Sequence, residues 1–429
     1  MVISLPRLGR RSALALCLGV LALPVNAQQA DGLQAALQAA LTLHPAISGK
    51  QSQIKAREYS ADAARAQRYP SLTAQAQQYS GDNRDATTGD DLSTPMTLRA
   101  RQPVWAFGRI DNSIAFADAD TDVERVDLLR VQRQLLEQTA VAYASVLGSR
   151  QRLQVVEASL AAHQSLFDQI SRREQGQLAS TADVRLAATR LSQSKARVER
   201  YAGELEIAES DLLALTQVPV AAKQPVASGL LQVSEGETLR QAALQGSAEV
   251  RFKKQEIERA KAGVDQAKTA SMPTVYLQAE QDHDQPSYRD DTRVSVVFEG
   301  TLEGMGFATR GRTGAAVAQQ SAAEDDLTYA VNELERSVRR LQRNRELQAE
   351  LIQVQGDSLT ELEAVLGSYQ RQYAAGTKSW LDVLNIQREL SEQQLQLVQA
   401  QSDWVIYSLQ LAALTGGLDA LVALNTEEL

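Results

Sequence analysis

The sequence predicts a mainly α-helical fold with a small β part, arranged as two tandem repeats of one helix, two strands and two long helices. Three observations predict it. The first is self-similarity: "ALTLHPAI" (Ala40–Ile47) aligns without a gap on "ALQGSAEV" (Ala243–Val250), 203 residues on, and "YPSLTAQAQ" from Tyr69 meets "MPTVYLQAE" from Met272 at the same offset. At an offset of 199, "DVRLAATRLSQ" from Asp183 meets "DVLNIQRELSE" from Asp382, and "LALT" ending at Thr216 meets "AALT" ending at Thr415. The second is a coiled-coil seam. From Leu327, apolar side chains fall at Val331, Leu334, Val338 and Leu341, and the phase resumes at Leu359, Leu362, Leu366, Tyr369 and Tyr373. The third is a pair of short strand candidates after each of Pro70 and Pro273, since proline disfavours a helical residue before it.

The chain opens on a leader. Arg7, Arg10 and Arg11 precede an apolar run over Ser12–Leu23, and "VNA" at Val25–Ala27 offers a small-x-small cleavage pattern, so residues 1–27 read as a signal peptide cut after Ala27. The apolar run falls short of the roughly 20 residues of a permanent membrane helix. Cys17, the only cysteine, sits inside that run after Leu16, where a lipid-attachment signal wants Gly or Ala, so lipidation is not expected. Loss of the leader removes three arginines and no acid, taking the net charge from −9 to −12. With a pI near 5.2 and no basic patch, nucleic acid is excluded as a partner.

The first repeat spans 28–216, a connector 217–236, the second repeat 237–416 and a C-terminal tail 417–429. The connector, "TQVPVAAKQPVASGLLQVSEGET" with its edges, carries two prolines and scattered glycines. Strands are expected at Ser71–Tyr79, Pro95–Trp105, Thr274–Gln281 and Thr292–Leu302, joined by the polar loops "SGDNRDATTGDDLS" and "DHDQPSYRDD". Tyr69, Tyr79, Trp105, Phe107, Tyr276 and Phe298 gather at their ends. Their length suits a membrane β-barrel, but from the strands alone an ordinary soluble antiparallel patch is the plainer reading. The long helix is expected from about Thr309 to Ala375, about 100 Å at 1.5 Å per residue, with a polar stretch of seam at Arg345, Gln348 and Gln355. A soluble coiled-coil rod is the plain reading of such a helix.

A closure argument separates these readings. Four strands cannot close a barrel, and lipid tolerates no open sheet edge. Three copies supply twelve strands and gather the long helices into a hollow cylinder, which turns a rod into a trimeric α/β-barrel conduit. In each repeat the long helix breaks at a glycine-centred turn: Gly176 in "EQGQLASTADVR" and Gly376 in "YAAGTKSWLDVLN". Asp183 and Asp382 follow these turns as acids at a helix N-terminus, with Ser180 or Thr181 as a cap beside Asp183. Trp380 and Leu381 are expected to pack at the turn.

The sequence offers no catalytic constellation and no cofactor site. His44, His163 and His283 have no metal-ligand neighbour at helical or hairpin spacing, and the aspartates beside His283 read as solvated loop charge. No thiol nucleophile or Ser/His/Asp order presents itself. The glycines of "EGMGFATRGRTG" read as a strand exit into a helix, since no βαβ unit surrounds them.

Taken in order, the "ALTLHPAI" opening, the hairpins after Pro70 and Pro273, the exit "QPVWAFGR" (Gln102–Arg109), the duplication and both turns resemble the TolC family of outer-membrane efflux and secretion ducts. The resemblance covers nearly all of the sequence after the leader. It implies a homotrimer with a twelve-stranded barrel in outer-membrane lipid and a twelve-helix periplasmic tunnel. It also implies a mixed belt holding the connector and the end beyond Thr415. The implied partners are a periplasmic adaptor (membrane fusion) protein and an inner-membrane ABC or proton-driven transporter, with no covalent chemistry. In "YAAGTKSWLDVLN", Tyr373 matches a gate tyrosine of the family. Lys378 stands where the prototype has an arginine, keeping the charge without the forked donors. Asp183 matches an acidic partner, while Ala182 replaces a threonine. Asp382 matches a constriction aspartate, and Asn385 replaces a second one, implying a less acidic, less cation-sensitive mouth.

The expected function is therefore a passive exit duct of a tripartite export system. The leader without a lipid-attachment signal and the "LHP" opening favour type I protein secretion. A multidrug or small-molecule efflux duct is the alternative. A periplasmic adaptor or coiled-coil scaffold is a more distant one, which two separate hairpins and a gapless repeat argue against.

Overall fold

The computed structural model describes residues 30–77, 96–283, 291–301 and 303–424. The leader, residues 78–95 and 284–290 between the strands, and the last five residues lie outside the described residues. In chain order come β1 (Ala30–Asp31), α1 (Leu33–Leu43), α2 (Pro45–Ala66), β2 (Ser71–Ala76), β3 (Met96–Trp105), α3 (Arg109–Gln175) and α4 (Thr181–Thr216). The connector holds β4 (Val220–Ala221) and α5 (Ser228–Leu231). The second repeat follows as α6 (Gly236–Gly246), α7 (Ala248–Thr269), β5 (Thr274–His283), β6 (Asp291–Glu299), α8 (Phe307–Ala374) and α9 (Trp380–Leu414).

The single helix expected at the start of each repeat is in fact two. Pro45 holds His44 in an extended conformation (ψ 129°), because its ring excludes a helical residue before it, and His44 Nδ1 then accepts from Ala46 N at 3.2 Å. Ser247, 203 residues on, breaks the second copy in the same place and caps α7 by accepting from Val250 N at 3.2 Å. His44 is thus a cap, and the two breaks confirm the register of the repeat.

α3 and α8, of 67 and 68 residues, contain no proline and run about 100 Å. Each is flanked by two shorter helices end to end: α3 packs on α2 and then α4, α8 on α7 and then α9. α3 also contacts α7 and α9, which joins the repeats side by side. The same ion pair sits in both copies: Lys50 on α2 meets Glu124 and Asp127 of α3, and Lys253 on α7 meets Asp326 of α8.

The main core lies midway along the bundle. Leu37, Leu136, Ala140 and Leu409 are fully buried there, with Ala222 of the connector and Leu418 of the tail. Buried Tyr143 donates from its hydroxyl to Gln224 O at 2.8 Å, and β4 pairs in parallel with β1, so the connector is fastened to the first repeat. The tail is fastened too. Arg133 of α3 donates from Nη2 to Asp419 Oδ2 at 2.6 Å and from Nη1 to the Gly246 carbonyl. The polar stretch of seam is anchored by Arg345, which donates to Ser408 Oγ at 2.9 Å and Leu231 O at 3.1 Å while stacking on Trp404.

The four longer strands form one antiparallel sheet in the order β2-β3-β5-β6, at the end of α3 and α8 opposite their turns. Trp105 and Phe107 meet edge to face at its exit into α3, with ring centroids 5.9 Å apart. His283 closes β5 opposite Met96, and Asp282 is buried against Thr97 and Arg293, so these residues belong to the sheet and not to a solvated loop.

Candidate functional site

Two regions of this frame carry functional geometry, the sheet and the opposite tip. Residues directly paired across an antiparallel sheet share a face. The register sets Leu72 against Ala100, Ala74 against Leu98, Ala279 against Val294, Leu277 against Val296 and Val275 against Phe298. That face is apolar, and Leu72, Leu98, Leu277, Val294, Val296 and Phe298 are exposed on it. The opposite face is a ladder of charge. Arg99 Nε donates to Glu280 at 2.9 Å, Arg101 Nη1 to Glu299 at 2.9 Å and Arg293 Nη2 to Asp282 at 2.6 Å. An outward apolar face, an inward polar face and two unpaired edges, β2 and β6, describe a segment of a transmembrane barrel wall. Among the described residues no helix is long and apolar enough to cross a membrane.

At the tip, the two turns are copies. Gly176 N, Gln177 N and Leu178 N donate to Arg172 O, Glu174 O and Arg173 O, and 199 residues later Ala375 N, Gly376 N and Thr377 N donate to Arg371 O, Tyr373 O and Gln372 O. The left-handed residue differs in type. Gly376 has φ 79°, but its counterpart is Gln177 at φ 61°, whereas Gly176 lies at φ −83°. Gly176 therefore does not supply the left-handed conformation of its turn, because the turn bonds place that conformation one residue later.

Both helices leaving the tip start with a reciprocal capping box. Ser180 Oγ accepts from Asp183 N at 3.1 Å and Ser180 N donates to Asp183 Oδ2 at 3.0 Å. Ser379 and Asp382 repeat this at 3.2 Å and 3.2 Å. Hydrogen bonds from Ser180 hold the Asp183 carboxyl below the usual carboxylate range, with a further contribution from Trp380. Those from Ser379 do the same for Asp382, helped by the Lys378 charge. Both aspartates thus serve as caps, the plainer of their two roles.

The hairpins are tied to one another by contacts that lie nearly two hundred residues apart in sequence. Trp380 Nε1 donates to Asp183 Oδ1 at 3.0 Å, and its ring is buried with Leu166, Ile170, Val383 and Leu384. The Arg173 guanidinium lies 4.5 Å from the Tyr373 ring centroid. Tyr373 is thus buried between hairpins with Arg173 as its neighbour. Lys378 lies 4.2 Å from the Tyr369 ring and 4.0 Å from Asp382, on its own hairpin, and Asn385 is exposed on α9. The structure brings Asp183 and Tyr373 to one interface and leaves Lys378, Asp382 and Asn385 on the α8–α9 hairpin. A cleft of about 690 Å³ opens beside them, lined by Arg172, Arg173, Leu178, Gln370, Tyr373 and Val383 among others. Arg173 and the indole donor of Trp380 are the residues sequence reasoning missed. The repeat alignment held one signal for the latter, since it sets Trp380 against Thr181.

The outer membrane efflux protein family profile matches residues 36–216 and again 239–417, one match per repeat. The chain belongs to the outer membrane efflux protein family. That membership places it in the outer membrane as a channel. No curated protein sequence matches the chain. Solved structures share the fold. A structure of CusC, described in terms of transmembrane channel formation, superposes with a TM-score of 0.79 at 18% identity, over 89% of this chain and 91% of that one. The outer membrane protein VceC of Vibrio cholerae gives 0.73 at 18% identity, over 90% and 95%. The open state of the Neisseria gonorrhoeae MtrE channel gives 0.74 at 17% identity, over 90% and 89%.

Proposed function

We propose that three copies of this chain form the passive outer-membrane exit duct of a tripartite export system, continued inward by a periplasmic adaptor and an inner-membrane transporter. The observation that carries the reading is the sheet, with its apolar face, charged face and two open edges. Because it has an even number of strands, β6 of one copy meets β2 of the next antiparallel, and twelve strands close without a break in alternation. The repeat supports the same ring for the helices. α3 of the first repeat receives α7 and α9 of the second within the chain, so α8 is expected to receive α2 and α4 of the neighbouring copy. In that ring the tip turns form the periplasmic mouth, with Asp183, Tyr373, Lys378, Asp382 and Asn385 around it.

For the cargo, the leader without a lipid-attachment signal favours type I protein secretion. The description of the family as efflux proteins favours small-molecule export. Purified protein in detergent is expected to run as a heat-dissociable trimer and to conduct in planar bilayers. A non-conducting monomer would sink the duct reading. Deletion in the native host then separates the cargoes: loss of a secreted protein from the medium against sensitisation to small toxic compounds.

A further inference from the structure

Two glycines sit inside helices for no reason found within the protomer. Gly49 of α2 and Gly203 of α4 have ordinary helical backbone, and a Cβ on either would meet nothing within 4 Å. Glycine weakens a helix relative to alanine, so the protomer alone does not account for either. The repeat supplies the missing neighbour. Lys50 with Asp127 and Lys253 with Asp326 make the same ion pair in both copies, which matches α2 to α7 at an offset of 203 and α3 to α8 at 199. The capping boxes match α4 to α9 at 199 as well. Each contact of α3 with α7 or α9 therefore has an image in α8 facing α2 or α4 of the next copy. Inside the protomer, Arg130 of α3 lies 4.8 Å from the Phe252 ring centroid of α7. The image sets Tyr329, 68% exposed, over Gly49 of the next copy. A cleft of about 470 Å³ lies open beside Tyr329, Lys253 and Asp326, and in the first repeat Phe252 and Glu249 fill the matching place against Arg130. Inside the protomer, Gly148 of α3 also faces Ser402 of α9, and the image sets Leu347, 42% exposed, over Gly203 of the next copy. Both images thus place an exposed large side chain of α8 opposite a glycine that has no neighbour of its own.

Charge follows the same pattern. Glu137 of α3 hydrogen-bonds with Gln410 of α9, and Ala144 and Val405 line one cleft between those helices. Their images are Arg336 facing Asp211 and Arg343 facing Glu206 of the next copy. Within the protomer Arg336 and Arg343 meet only Glu333, Glu346 and Glu350 of their own helix, in exposed pairs that are worth little and are free to exchange. One image is neutral, since Arg152 with Gln399 becomes Leu351 with Arg200.

We infer that the seam between copies is keyed at mid-bundle: Tyr329 and Leu347 of α8 enter sockets at Gly49 and Gly203 of the next copy, and Arg336 and Arg343 pair there with Asp211 and Glu206. The key sets which helix lies on α8 and in what register. α4 and α9 are repeats of one another, yet they cannot trade places. On α3, α4 would set Asp211 against Glu137, and on α8, α9 would set Ser402 where Leu347 needs a glycine. A closed ring needs such a head-to-tail contact to be distinct from the contacts inside the protomer. The inference rests on the trimeric duct reading, which supplies the ring, and names the side chains that close it.

Exchange of residues across the seam tests it, read as the trimer band of unheated, membrane-extracted protein and the temperature at which that band dissociates. Gly203→Leu fills a socket that is empty within the protomer, so it is expected to keep the parent's helix content by circular dichroism and to abolish the trimer band. Gly203→Leu with Leu347→Ala moves the large side chain to the other helix and is expected to restore the band. Arg336→Asp and Asp211→Arg are each expected to lower the dissociation temperature, and the two together to bring it back towards the parent's. The charge exchange leaves both glycines in place, so it tests the register even where Gly203→Leu does not fold. A trimer that survives Gly203→Leu unchanged, or an exchange of Arg336 and Asp211 that recovers nothing, overturns the keyed seam while the parent remains trimeric. A parent that runs only as a monomer overturns the duct reading, and the seam with it.

Discussion

Trp380, the first helical residue of α9, donates its indole N–H to Asp183, the capping acid of α4, at 3.0 Å. One carboxylate therefore both starts its own helix with Oδ2 and receives the neighbouring hairpin with Oδ1. The Asp183 carboxyl is held below its ordinary value by Ser180 and Trp380, so its folded pKa lies under the unfolded value of about 3.9. A depressed carboxyl contributes stability that is fully present above the unfolded value and is lost as pH falls through the folded one. The Trp380 resonance in ¹⁹F spectra of 5-fluorotryptophan-labelled protein is expected to hold still from pH 8 to about 5 and to shift at lower pH. Asp183→Asn is expected to remove that shift, and a Trp380 resonance that titrates near neutrality would contradict the assignment.

The two turns predict opposite responses to glycine. Gln177 sits at φ 61° with a side chain, and the left-handed region costs such a residue roughly 1 kcal/mol or more. Gln177→Gly is expected to protect the α3–α4 tip by up to about 1 kcal/mol in hydrogen exchange, less what glycine loses in unfolded-chain entropy. Gly376→Ala is expected to loosen the other tip by about 1 kcal/mol, with the whole cost in the backbone, since a Cβ at Gly376 (φ 79°) meets nothing within 4 Å. Equal exchange in parent and both variants would refute the argument.

These cases mark what the sequence revealed. Repetition, strand pairs and the extent of α8 were legible because they depend on local periodicity and on prolines. The four strands lie within a few residues of expectation, and α8 begins at Phe307 where Thr309 was expected. The helix break at His44 was also legible in principle, since Pro45 announces it. The tip was only half legible. Capping by Ser180 is local and could be read, and the glycine-centred turn at Gly176 is where the helix breaks, but the turn's hydrogen bonds set its left-handed residue at Gln177, which residue type does not announce. The Trp380–Asp183 bond spans 197 positions and leaves no periodic trace.

The C-terminal clasp can be broken from one side at mid-bundle. Arg133 and Asp419 retain only 11% and 12% side-chain exposure, and Arg133 also donates to the Gly246 carbonyl of α6. Removing one partner of so buried a pair typically costs about 3–5 kcal/mol, because the other charge is left without compensation. Asp419→Ala is expected to lower the thermal midpoint by several degrees and expose the tail to carboxypeptidase. Asp419→Asn, which keeps an acceptor oxygen, is expected to lose less. An unchanged midpoint in Asp419→Ala would show that the clasp contributes nothing net.

The last prediction concerns a close approach of α3 to α9. Gly148 faces Ser402, and a Cβ built on Gly148 would lie 2.3 Å from Ser402 Oγ and 2.9 Å from Ser402 Cβ. Neither helix can yield easily, since both residues are buried beside the main core. Gly148→Ala gains roughly 1 kcal/mol of helix propensity, but overpacking of about 1–3 kcal/mol opposes it, so a net loss of stability is expected. Ser402→Gly removes both clashing atoms. The double variant Gly148→Ala/Ser402→Gly moves the glycine from one helix to the other and should return the thermal midpoint close to the parent's, above either single variant. Because channels of this size unfold irreversibly, the order of midpoints at one scan rate is the measurement, not an equilibrium free energy. If the double variant is no more stable than Gly148→Ala alone, the contact with Ser402 is not what requires glycine at position 148.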